Sequence, residues 1–67
     1  MCESKAIELT EAGEKLLLDD VALLENKDDA IILYNIEGKK IELPKDQYVI
    51  ARIDFLKHKI YFRRHGK

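Results

Sequence analysis

Apolar and polar residues alternate with a period of two through most of this chain, the signature of strands that bury one face. From Lys5 to Thr10 the alternation sets Ile7 and Leu9 on one side and Ala6, Glu8 and Thr10 on the other. Glu11 to Glu14 follow as a turn in which Gly13 supplies positive φ. Ala30 to Ile36 is dense in β-branched and aromatic residues and carries the strongest strand signal. Glu37-Gly38-Lys39 then makes a tight connection into Lys40 to Leu43, which aims Ile41 and Leu43 inward before Pro44 stops the strand. In Gln47 to Phe55 the inward set is Val49, Ala51, Ile53 and Phe55, with Tyr48, Ile50 and Arg52 opposite. A turn at Leu56-Lys57-His58 returns the chain into Lys59 to Arg63, with Ile60 and Phe62 toward the core.

One segment does not decide itself. In Lys15 to Asn26, Leu17, Val21 and Leu24 fall at helical spacing and the residues are good helix formers. Read as strand, Leu16 and Leu18 share a face, Asp19-Asp20 break it, and Val21 and Leu23 resume it. Period alone leaves helix and strand open here. Elsewhere, short strands with turn signals every eight to twelve residues predict an all-β barrel or sandwich of about five strands.

Sixty-seven residues amount to one small domain, expected to bury only about 60% of its unfolded surface. The expected division is a single small β-barrel over residues 1–63 and a basic tail over 64–67. Domains of this size are commonly reinforced by disulfides, a metal or a second subunit. The single cysteine removes the internal disulfide, leaving metal, partner or a well-packed core. No apolar run reaches the length of a membrane span, and the start has no basic region leading into an apolar stretch. The expectation is therefore a cytoplasmic protein with a reduced thiol.

The net charge of −1 hides an asymmetry: residues 1–37 hold ten acids against three lysines, and residues 38–67 nine Lys and Arg against three acids. Opposite halves can pair within one fold or between subunits, and interleaved strands would mix them.

The lone thiol, Cys2, stands next to the initiator methionine. Methionine is expected to be removed before so small a residue. Cys2 would then carry an amine and a thiol with ordinary pKa values of about 8 and about 8.5, both able to lose protons to a metal. Amine nitrogen and thiolate sulfur close a chelate ring that suits square-planar nickel(II) or copper(II). No other residue competes well. His58 sits in a turn, His65 in the tail, and the pairs Asp19-Asp20 and Asp28-Asp29 in turns. No nucleophile with a base and no phosphate-binding glycine loop is present, so an enzyme is not expected.

The opening Met-Cys-Glu-Ser-Lys, the alternating strand after it, Asp20-Val21, the hairpin through Gly38, Ala-Arg-Ile-Asp-Phe at 51–55 and Ile-x-Phe at 60–62 resemble the CooT-type family. Its members are small nickel-binding proteins also described as predicted RNA-binding proteins. The resemblance implies a five- to six-stranded SH3-like barrel, a homodimer, Cys2 as the nickel ligand, and nickel delivery to carbon monoxide dehydrogenase. It also tips Lys15 to Asn26 toward strand. The apolar residues left over by alternation, Leu17, Leu24, Tyr48, Ile50 and Ile31 or Leu33, suit a two-fold interface, with one Ni(2+) ion shared per dimer. The alternative from a different class is RNA binding. It would use Tyr34, Tyr48 or Tyr61 for stacking, and Lys57, Lys59, Arg63, Arg64 and Lys67 for phosphates.

Overall fold

The computed structural model describes residues 3–65. Six strands form one sheet: β1 (Ser4–Thr10), β2 (Gly13–Asn26), β3 (Ala30–Asn35), β4 (Lys40–Pro44), β5 (Tyr48–Asp54) and β6 (Lys59–Arg64). Their order is β4-β3-β2-β1-β6-β5. Neighbours pair antiparallel except β1 and β6, which run parallel with Lys5 opposite Lys59 and Leu9 opposite Arg63. The sheet is barrel-like without closing, so β4 and β5 remain as edges. The all-β expectation holds, with six strands and no helix among the described residues.

The undecided segment is the 14-residue strand β2. It pairs with β1 through its first part and with β3 through its last, so it has to bend. Three register irregularities crowd into the middle: between Ser4 and Ala6 and between Ala6 and Ile7 on the β1 side, and between Val21 and Leu23 on the β3 side. Each gives β2 one residue more than its partner, and such bulges bend a strand. The inward residues of β2 consequently fall three apart, at Leu18, Val21 and Leu24, instead of two. That spacing imitates a helix, which is why period alone could not decide.

The bend itself is Asp19-Asp20. Asp20 takes φ of 54°, a left-handed conformation that Asp tolerates better than most residues. The Asp19 carboxylate accepts the Asp20 N–H at 2.8 Å, and the Asp20 carbonyl accepts the Ile36 N–H at 3.0 Å. The Asp20 amide, and after it the Lys5 ammonium, hold the Asp19 carboxyl below its ordinary pKa. A depressed carboxyl pKa stabilises the fold above the ordinary carboxylate range and stops doing so as pH falls through the lower folded value. The bend therefore keeps its acceptor to lower pH than an ordinary aspartate would. The sequence reading put this pair in a turn, whereas it lies inside a strand.

The core consists of Ala6, Leu18, Val21, Ile31, Leu33, Leu43, Ile60 and Phe62, with Leu17, Leu24, Ile41 and Tyr48 packed against it. Three expectations are corrected. In β1 the core-facing residue is Ala6, next to Leu18 and Ile60; Ile7 is buried on the opposite face beside Tyr61. In β5 a bulge at Ala51, between the Ile50–Phe62 and Arg52–Tyr61 pairs, reverses the side-chain order. Tyr48, Ile50 and Ile53 therefore share the core side, while Val49 and Arg52 take the other. Ile31 and Leu33, one or the other read as surplus, are both core residues.

Arg64, assigned to the tail, is the last residue of β6, and the His65 N–H donates to the Gln47 carbonyl at 2.7 Å.

Candidate metal centre

Cys2 lies outside the described residues, which begin at Glu3. What the structure does define is the end of the sheet to which Cys2 is joined. Ser4 pairs with Val21 just past the β2 bend. On the other side the Lys5 N–H donates to the His58 carbonyl at 2.9 Å. The Lys5 ammonium reaches Asp19 at 3.3 Å, although both side chains are half exposed, so this pair adds little stability. The start of β1 is thus tied by its backbone to two elements, the bend of β2 and the turn between β5 and β6.

That turn is well determined. Asp54 accepts the N–H groups of Leu56 and Lys57 at 3.1 and 3.0 Å, and His58 takes φ of 58° to re-enter the sheet. Between these anchors Phe55 is 80% exposed and Leu56 93% exposed. Alternation had placed Phe55 inward. The bulge in β5 and the Asx turn at Asp54 send it outward instead. The signal was present in the sequence as two adjacent apolar residues between an Asp and a Lys-His pair.

The two histidines do not converge. They flank the six residues of β6, roughly 20 Å of strand. Among the described residues no group of three His, Cys, Asp or Glu is arranged to hold a metal ion. The Cys2 thiol is the one soft anionic donor that the sequence offers.

At the opposite end of β1 lies a feature that sequence reasoning missed. Glu8 is on the core side of β1, its side chain only 6% exposed, and Arg64 Nε donates to it at 3.2 Å. The Arg64 guanidinium also lies over the Tyr48 ring, 4.7 Å from its centre. This arrangement joins β1, β6 and β5 across the first and last strands. Removing the arginine leaves a buried carboxylate without its partner, so Arg64→Ala is expected to lower stability by about 1–2 kcal/mol. The neighbouring exposed Arg63→Ala should cost under about 0.5 kcal/mol. Paired urea titrations read the difference, and equal midpoints would refute the role given to Arg64.

The tyrosines expected to stack on bases are differently employed. Tyr61 is 3% exposed and lies under the Arg52 guanidinium, 4.1 Å from the ring centre. Tyr48 is partly buried against the core and under Arg64. The Tyr34 hydroxyl donates to Glu25 at 3.0 Å, and that hydrogen bond raises its pKa.

Six strands in one open sheet define a small all-β, barrel-like protein. More specifically, the chain belongs to the CooT family, since the family model described as CO dehydrogenase accessory protein CooT matches residues 1–63. Among solved structures it is similar to a candidate CooT from Carboxydothermus hydrogenoformans, with a TM-score of 0.81 and 26% identity. That likeness covers 97% of this chain and 100% of the other. No curated protein sequence matches the chain significantly.

Proposed function

We propose that this protein handles nickel(II) as cargo for CO dehydrogenase, holding it through Cys2 at a homodimer interface and performing no catalysis of its own. The family match over residues 1–63, which includes Cys2, carries the reading. The chemistry of the residue supports it, because soft sulfur with nitrogen selects nickel over hard cations. A lone thiol needs a reducing compartment, so we place this work in the cytoplasm. No helix among the described residues is long and apolar enough to cross a membrane.

A homodimer supplies the missing donors. A two-fold axis near the start of β1 sets two Cys2 residues opposite one another, and two sulfurs with two nitrogens complete one square-planar site per dimer. The unpaired edge strand β5 offers apolar surface for this, with Val49, Ile50 and Ile53 each more than a third exposed. Leu17 and Leu24, earlier placed in the interface, are packed against the core and contribute less. Ile50→Glu is expected to yield monomers in sedimentation and to weaken nickel binding together. A stable monomer that binds one nickel per chain with undiminished affinity would refute the shared site.

The deciding experiment is nickel titration of untagged protein, with removal of Met1 checked by mass spectrometry. A thiolate-to-metal charge-transfer band saturating at one ion per two chains is the expected result. A chain that lacks Met1 and shows no such band would end the nickel reading.

A further inference from the structure

The turn between β5 and β6 leaves Phe55 and Leu56 almost wholly in solvent. Turn residues are ordinarily polar, and an exposed aromatic-aliphatic pair on a small domain is unfavourable unless something covers it. The backbone that presents the pair is held at three points: the Asp54 carboxylate bonds two amides of the turn, His58 is fixed in the left-handed region, and the His58 carbonyl is tied to β1 through Lys5. An anchor held in place in advance loses little entropy on docking.

We propose that the Phe55-Leu56 tip is the docking element by which this protein engages its metal acceptor, inserting into an apolar socket rimmed by carboxylates. Three observations select that occupant, and the choice rests on the function proposed above. First, the parallel pairing of Lys5 with Lys59 puts the tip at the end of the sheet to which Cys2 is attached, so docking there brings the thiol to the acceptor. Second, the charge beside the tip is net positive. Lys57 follows it and Lys59 opens β6 opposite Asp54, the one acid of the turn, whose carboxylate accepts from backbone N–H groups. Third, the tip is small. Two such side chains offer about 300–400 Å², against about 800 Å² per partner in a stable complex. By itself this is too little to hold two copies of the chain together. It suits a brief encounter that ends when the cargo has moved.

The test uses the full untagged chain and purified nickel-free CO dehydrogenase as the probe, with binding followed by interferometry. The double variant Phe55→Ser/Leu56→Ser is expected to weaken binding by about 30-fold, the size of one interface hot spot. Lys57→Glu/Lys59→Glu should slow association several-fold and flatten its salt dependence. Both variants should keep the wild-type nickel titration, sedimentation coefficient and circular dichroism, because the altered side chains other than Lys59 are exposed. Wild-type binding by the double variant would overturn the proposal. A fall in its sedimentation coefficient would also overturn it, by assigning the tip to self-association. Wild-type protein that binds nickel yet ignores the enzyme would overturn both the tip and the client while leaving nickel handling intact. Tip-dependent docking by a chain that binds no nickel would uphold the tip and remove the cargo.

Discussion

Cys2→Ser is expected to abolish the nickel charge-transfer band and to weaken binding by about 100-fold or more. A serine hydroxyl stays protonated at neutral pH and is a hard donor, so the substitution removes the one soft anionic ligand and leaves an amine alone. Among the described residues no cluster of metal-binding side chains stands ready to replace it. Extending the amino terminus by a few residues is the complementary change. It keeps the sulfur but converts the amine to an amide, and should weaken binding without removing the band. Because thiol and amine must both lose protons, wild-type affinity should fall as pH drops below about 7. Calorimetry with absorbance reads all of these. A Cys2→Ser protein with wild-type affinity would show that the ligand lies elsewhere.

Phe62→Ala is expected to leave most of the protein unfolded at 25 °C. Phe62 is completely buried, on the strand that joins β1 to β5, with Glu8 on one side and Ile50 on the other. Phe-to-Ala changes in cores cost about 3–5 kcal/mol, and a domain of this size has little more than about 3–5 kcal/mol in total. Ile50→Ala lies on the same cross-strand row but starts 39% exposed, and should cost about 1 kcal/mol or less. Circular dichroism with urea titration distinguishes them. A Phe62→Ala midpoint close to that of Ile50→Ala would mean that the core is not where the structure puts it.

Sequence reading was weakest in β5. Strict alternation from Gln47 to Phe55 gives one inward set; a single extra residue at Ala51 keeps Ile53 inward but puts Tyr48 and Ile50 there in place of Val49. A bulge leaves no mark in the local pattern, because Ala is acceptable on either face. The same holds in β2, where extra residues around the Asp19-Asp20 bend turned a spacing of two into three. Glu8 was equally opaque: alternation put it outward, and only Arg64, fifty-six residues away, makes its burial tolerable.

Within the chain, then, the sequence by itself determined the all-β class, the turns through Gly13 and Gly38, the bounds of β3 and β4 to within a residue or two, and the presence of a single thiol. These depend on neighbours a few positions apart, where a period of two, a glycine or a proline acts directly on the backbone. Tertiary structure alone decided the parallel pairing of β1 with β6, the faces of β1 and β5, the buried Glu8–Arg64 pair, and the outward aim of Phe55 and Leu56 beside the amino-terminal end. Each of these follows from how distant strands fit together on a bent sheet. The energy that selects among such arrangements is burial shared by residues up to fifty or more positions apart, and no local pattern records it.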